Sequence, residues 1–180
     1  MFNISRAIRS ASAFFYSFSS MEVQMKPKRI VPSSPEWPLF LDMSYTYMLE
    51  NWPVKIQEKS KEVFPSDYTS NIRKRIEQGP RGLFLYYKFE KPVALSNAYI
   101  SLEDNEKVLN VAEFYVIPSN RKQGLGSQML NHLIDWGKEE SATKLKIEVD
   151  KDLEGANHFW EKFGYQLDDS GSRNLYFTQI

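Results

Sequence analysis

Val116-Ile117-Pro118-Ser119-Asn120-Arg121-Lys122-Gln123-Gly124-Leu125-Gly126 is the stretch on which the reading of this chain turns. Before it, Val108 to Ile117 reads as a strand that Pro118 closes. After it, Leu125, Met129, Leu133 and Trp136 recur at helical spacing, marking a helix from about Gly124 to Ser141. A strand therefore passes through a short basic loop straight into a helix. The first turn of such a helix offers N–H groups without carbonyl partners and the positive end of the dipole. Glycine at 124 and 126 lets a ligand approach the backbone, and Arg121 and Lys122 add two positive charges. The combination suits a pyrophosphate.

Two common phosphate loops are excluded. A P-loop follows its last glycine with lysine and then serine or threonine, whereas Ser127 directly follows Gly126. A dinucleotide fingerprint needs a third glycine where Met129 stands, and it begins at the strand end. Here Ile117 to Gln123 intervene. Glu148, ~20 residues on, stands where a ribose-binding acid would, but the missing glycine and the displaced loop outweigh it.

Working outward, Lys28 to Val31 reads as a short strand, and Ser34-Pro35-Glu36 as a helix start with a capping serine and proline at the first helical position. Leu41, Tyr45, Met48 and Trp52 continue that helix until Pro53 breaks it. A second helix starts near Ser66, carries Tyr68, Ile72 and Ile76 on one stripe, and stops at Gly79-Pro80. Leu83 to Lys88 and Val93 to Leu102 are strands about a Glu90-Lys91-Pro92 turn, and Asp104-Asn105-Glu106 turns into the strand at Val108. Past the central helix come a strand at Leu145 to Val149, a helix from Leu153 to Phe163 ending at Gly164, and strands at Tyr165 to Leu167 and Asn174 to Thr178. This order predicts a mixed α/β sheet with antiparallel hairpins and at least one parallel crossover.

At 180 residues the chain is one domain, and 42% hydrophobic content is enough for a full core. Lys+Arg and Asp+Glu balance at 23 each, which argues against a nucleic-acid partner. There is no cysteine, hence no disulfide, thiolate metal site or cysteine nucleophile, and His132 and His158 are too few for a multi-histidine metal site. No uncharged apolar run reaches the ~18–20 residues of a membrane span. Residues 1–20 stand apart: Arg6 and Arg9, no acid and six serines, with Ile4, Ile8, Ser12 and Phe15 near one helical face. That composition fits a mitochondrial transit peptide preceding a domain at 21–180; the alternative is a plain extension of a cytoplasmic protein, with Met21 as the start.

Val116-x-Pro118-x-x-Arg121-x-x-Gly124-x-Gly126 resembles the acyl-CoA pyrophosphate motif of the GNAT superfamily of N-acetyltransferases. About 30 residues on, Ala156-Asn157-His158-Phe159-Trp160-Glu161-Lys162-Phe163-Gly164-Tyr165 resembles its second motif. The element order from Lys28 to Ile180 also matches. The resemblance implies a mainly antiparallel sheet with a central splayed strand and helices on both faces. It implies acetyl-CoA as co-substrate, with no metal. The N–H groups of Arg121, Lys122, Gln123, Gly124, Leu125, Gly126 and Ser127 would hold its pyrophosphate, and Tyr115, Val116 and Ile117 would pair with its pantetheine. Many members have tyrosine where Trp160 stands, as proton donor to the departing thiolate; the implied role of Trp160 is a wall for pantetheine. Leu153 replaces an asparagine common among protein N-terminal acetyltransferases, which points away from that branch.

Strand alternation puts Glu113, Tyr115 and Ile117 on one face and Phe114 and Val116 on the other. Glu113, on the central strand, is the candidate general base, its pKa raised by partial burial. A structural pairing with lysine or arginine is the competing reading. Asp168 and Asp169 fall in a loop that, by the resemblance, borders the acceptor site, though an ordinary exposed turn explains them equally. The expected function is acetyl transfer from acetyl-CoA to a primary amine by direct attack; the alternative is a non-catalytic acyl-CoA-binding module. Acceptor identity and oligomeric state stay open.

Overall fold

The structure, a computed structural model, describes residues 24–57 and 62–180, so the expected transit segment lies outside the described residues. In chain order the elements are β1 (Lys26–Arg29), α1 (Trp37–Asn51), α2 (Pro53–Gln57), α3 (Phe64–Glu77), β2 (Arg81–Lys88), β3 (Lys91–Glu103), β4 (Glu106–Val116), a 3₁₀ turn (Pro118–Asn120), α4 (Leu125–Glu139), β5 (Lys144–Asp150), α5 (Glu154–Glu161), β6 (Gln166–Asp168) and β7 (Arg173–Gln179). The strands form one sheet in the order β1-β2-β3-β4-β5-β7-β6. Every neighbouring pair is antiparallel except β4 and β5. Those two run parallel because α4 returns the chain across one face between them. The mixed, mainly antiparallel architecture is as the sequence implies.

Each face has its own core. Leu125, Met129, Leu130, Leu133 and Trp136 of α4, with Trp160 of α5, pack on Leu109, Val111, Leu145 and Ile147. On the other face, Trp37, Phe40 and Leu41 of α1 and Phe64, Tyr68 and Ile72 of α3 pack on Leu83, Leu85, Leu95 and Tyr115. Double coverage explains why β2 is apolar at successive positions rather than alternating.

Several boundaries differ from expectation for physical reasons. Helix α1 starts at Trp37, not at Pro35. Ser34 does not cap it: its hydroxyl accepts the Val31 N–H at 3.0 Å, and Glu36 pairs with Lys28. Pro53 ends α1 but opens the unexpected α2, where a missing N–H costs nothing. The β2–β3 turn is Phe89-Glu90, both at positive φ, and Pro92 lies inside β3. It is tolerated there because the register shifts beside its partner Tyr87. Strand β1 begins two residues earlier than expected and is wholly exposed, as befits an edge strand.

Candidate active site

Strand β4 makes the site by changing partners halfway. Val108 to Val111 pair with Lys144 to Ile147 of β5, and no pairing lies beyond them. From Glu148 to Asp150, β5 continues with β7, while β4 continues with β3 to Val116. The two parallel strands therefore splay, leaving the β5-side backbone of β4 from Ala112 onward without a sheet neighbour among the described residues. A bulge coincides with the splay, for Asn97 pairs with Glu113 and Ala98 with Val111, so that Ala112 is extra. The extra residue reverses the facing of the rest of the strand. Leu109 and Val111 face α4; after the bulge Phe114 faces α5, and Glu113 and Tyr115 turn toward α1 and α3.

Glu113 is only 7% exposed, beneath α3. The Tyr68 hydroxyl lies 2.7 and 2.9 Å from its two carboxylate oxygens and donates to them. Asn97 Nδ2 donates to the same hydroxyl oxygen at 3.4 Å, and Arg81 donates to Asn97 Oδ1 at 2.5 Å. Burial pushes the Glu113 carboxyl above the ordinary carboxylate range; hydrogen bonds from Tyr68 and Asn97 and the charges of Arg81 and Arg75 pull the other way without cancelling it. A buried carboxylate held back from full ionisation, beside a splay, has the chemistry of a general base.

The mouth of the splay is roofed by the end of α1. The Tyr47 ring lies 5.6 Å from that of Tyr115 and 5.6 Å from that of Trp52. Trp52 Nε1 donates to Asp150 at the end of β5 (2.7 Å). Burial first, then the negative charges of Glu113 and Asp150, raises the Tyr47 phenol far above its usual value, so it keeps its proton. Glu50 pairs with Arg121 at 2.7 Å.

The loop at 121–126, expected from the sequence to hold phosphate, has two left-handed residues. Lys122 and Gly124 adopt left-handed φ values of 60° and 77°. Gly124 is the residue before α4, and no side chain caps that helix start, so its first N–H groups stay available. Gln123 accepts from Lys88 (2.9 Å) and donates to the Ser119 carbonyl (3.3 Å), bracing the loop. Arg121, Lys122 and Gln123 are exposed, and Gly126 and Ser127 partly so. Leu125 packs its side chain in the core. Arg121 turns back on the strand: its Nε donates to the Val116 carbonyl at 2.8 Å and its guanidinium lies 5.5 Å from the Tyr115 ring centroid. Ile117 donates its N–H to the Val93 carbonyl at 3.0 Å.

Trp160 sits otherwise than the sequence suggests, and Gly126 meets a second constraint. A Cβ on Gly126 would lie 2.7 Å from the Phe159 ring, so this glycine is required by α4–α5 packing. Trp160 is 3% exposed and packed against Phe114, Phe159 and Phe163 at centroid distances of 5.1, 4.8 and 6.3 Å. The indole is core, leaving almost none of its surface for a ligand. Asp168 accepts the Ser170 N–H at 2.9 Å, the geometry of an ordinary turn. His132 is packed on Phe84 and bonded to the Tyr86 hydroxyl (3.0 Å), and His158 is exposed. Tyr68, Asn97, Arg81, Tyr47, Trp52 and Glu50 were not anticipated. The signal that could have found Asn97 is a lone amide within the apolar run Val93 to Ile100.

Known proteins share this fold. No curated protein matches the chain significantly. Among solved structures, a GNAT-family acetyltransferase of Staphylococcus aureus is 13% identical, with TM-score 0.67 over 86% of this chain and 98% of that one. An Elizabethkingia anophelis GNAT-family acetyltransferase with acetyl-CoA bound is 16% identical, with TM-score 0.58 over 87% and 99%. A PaiA N-acetyltransferase of Thermoplasma acidophilum in complex with coenzyme A is 12% identical, with TM-score 0.61 over 87% and 99%. The sequence itself matches the acetyltransferase (GNAT) family over residues 45–165, and the chain belongs to that family.

Proposed function

We propose that this chain transfers the acetyl group of acetyl-CoA to a primary amine by direct attack. The observation that carries this reading is the splay of β4 from β5 at Ala112, with Glu113 at its base and an uncapped helix start at its mouth. The bound forms of the similar acetyltransferases support acetyl-CoA as the co-substrate.

The residues present fit such a ligand. The Arg121 N–H is held by the Pro118 carbonyl at 3.2 Å, but the N–H groups of the uncapped first turn of α4 suit the pyrophosphate, with the charges of Arg121 and Lys122 beside them. The free edge of β4 at Tyr115 to Ile117 suits the amides of pantetheine. Arg121 would have to release the Val116 carbonyl for that pairing. When bound, acetyl-CoA supplies an activated thioester carbonyl. Glu113 would take a proton from the acceptor ammonium through one water, since its carboxylate is buried. The neutral nitrogen then forms the new C–N bond as the C–S bond breaks; the nitrogen gives up its second proton and the thiolate takes one up, leaving the amide and free CoA thiol. Tyr47, kept protonated by burial, roofs the mouth as a neutral hydrogen-bond donor. Orientation would account for most of the acceleration.

Titration with acetyl-CoA is expected to give Kd in the micromolar range or tighter, on the order of −8 kcal/mol. Gly124→Glu should abolish it. Gly124→Ala carries the same left-handed strain, about 1–2 kcal/mol, without the charge, and should lose far less. Thiol release across a panel of amines tests turnover; binding without turnover would favour the non-catalytic module, for which the buried Trp160 in place of a tyrosine is the supporting observation. Residues 1–20 remain our candidate mitochondrial address, tested by fusing them to a reporter; a diffuse signal would remove it.

A further inference from the structure

A cleft lies on the α3 face of the sheet, away from the splay mouth. It holds about 440 Å³ and is lined by Arg75, Pro80, Arg81, Tyr99, Ser101 and Ala112 among others. Ala112 is the bulge residue itself, adjacent to Glu113. The cleft therefore opens onto the point where β4 leaves β5, from the side opposite α4.

Its charge is unusual for that face. Lys146 is matched by Glu103 at 3.2 Å, and Arg173 by Asp150 at 2.6 Å. Among the described residues neither Arg75 nor Arg81 forms a salt bridge. Arg81 is partly buried: it spends one nitrogen on the neutral Asn97, lies 4.7 Å from the centroid of the Tyr99 ring, and has a buried Nε with no hydrogen-bond partner. The positive charge of Arg75 adds to burial in lowering the Arg81 pKa, so two guanidiniums face one space. Ser101 adds a hydroxyl there. Paired guanidiniums with a spare donor are matched to a planar anion.

We propose that this cleft binds the carboxylate of the acceptor, so that the substrate is an amine that also bears a carboxylate, as amino acids do. A single negative charge suits the site better than a phosphate dianion, because Glu113 already contributes negative charge to both guanidiniums' surroundings. The carboxylate sits between Arg75 and Arg81, the side chain lies along Tyr99 and Pro80, and the amine points past Ala112 toward Glu113. This rests on the proposed transfer reaction for its orientation, but the anion site stands on its own residues.

The test uses the full chain and a product-like pair, N-acetyl-L-leucine and N-acetyl-L-leucinamide, titrated calorimetrically with CoA present. The acid is expected to bind at least tenfold tighter than the amide. Arg75→Gln should remove most of that advantage and Arg75→Glu should reverse it, with melting curves showing that these exposed-site variants fold. Arg81→Lys, which keeps the charge but loses the fork, should fall between. In thiol-release assays leucine should exceed leucinamide in kcat/KM by a similar factor. Equal binding of acid and amide, or an advantage that survives both Arg75 variants, overturns the inference. If CoA fails to bind while the acid keeps its arginine-dependent advantage, the transfer reading falls and the anion site stands. If amines are acetylated but acid and amide are equivalent, only the anion site falls.

Discussion

Glu113→Gln is expected to make the protein more stable and less active at the same pH; burial of the carboxyl gives the first sign and the proposed role as base gives the second. The carboxyl is buried and its pKa is raised, with burial outweighing the Tyr68 and Asn97 hydrogen bonds and the nearby arginines. A group whose folded pKa lies above its unfolded one binds its proton more tightly in the native state. Its stabilising contribution is complete below the unfolded value, near 4.3, and is lost as pH rises through the raised folded value. Each unit of such a shift is worth about 1.4 kcal/mol. Glutamine keeps the shape and can still accept from Tyr68, but it has no charge to bury. Melting temperatures of parent and variant should therefore converge near pH 4 and separate as pH rises, with the variant higher at pH 8. Activity should move the other way. Loss of a general base lowers kcat by ~10²–10⁴-fold, with acetyl-CoA affinity unchanged. The deficit should shrink at high pH, where more of the amine is already neutral. Thermal unfolding followed by circular dichroism, and thiol release from pH 6 to 10, read both quantities. A variant that melts lower than the parent throughout, with normal turnover, would show Glu113 to be a structural anchor and would refute the argument.

Three further substitutions probe the surroundings. Glu50→Gln removes the carboxylate that pairs with Arg121. Because both groups are substantially exposed, acetyl-CoA should bind only roughly two- to fivefold tighter, and weaker binding would show that the pair holds the loop in its binding form. Gly126→Ala places a Cβ 2.7 Å from Phe159 and should cost about 1–3 kcal/mol, read as a lower melting temperature; no change would mean the half-buried ring yields freely. Trp160→Ala should cost about 3–5 kcal/mol as a core deletion. An unaltered melting temperature with weakened acetyl-CoA binding would instead put the indole on the ligand.

What could be read from the sequence was local. The strand, loop and helix around residues 116–126 are spelled by a proline, two glycines and a clear helical period, all signals carried within a few residues. The facing of Glu113 also came from alternation, because the bulge lies just before it and not after it. Extending the same alternation back through Ala112 would have put Val111 on the wrong face, since a bulge leaves no residue signature here. Trp160 misled because it was assigned to a ligand from its place in a motif, whereas the contact between α4 and α5 holds it in the core, where Phe159 packs on it and also fills the space beside Gly126. The polar network around Glu113 joins residues 16 to 45 positions apart, with Tyr68 on a helix and Arg81 and Asn97 on strands. No periodicity within a single element reports such a meeting.

The end of α1 links the chemistry of the two sides. It touches both diverging strands, β4 through Tyr47 on Tyr115 and β5 through Trp52 on Asp150. Asp150 is held in turn by Arg173 of β7. A side-chain bridge thus spans the splay where the backbone ladder has ended. That bridge is unequal. The Trp52–Asp150 bond is partly buried and short, while Glu50 and Arg121 meet in solvent, where an ion pair contributes about 0–1 kcal/mol. The β5 side of the roof is the fixed one and the loop side is the yielding one. Arg121 can therefore leave the Val116 carbonyl and Glu50 at small cost when a better anion arrives, without disturbing the buried Glu113–Tyr68 pair beneath. On the proposed reading, the cofactor side of the site is free to rearrange while the proposed base stays fixed.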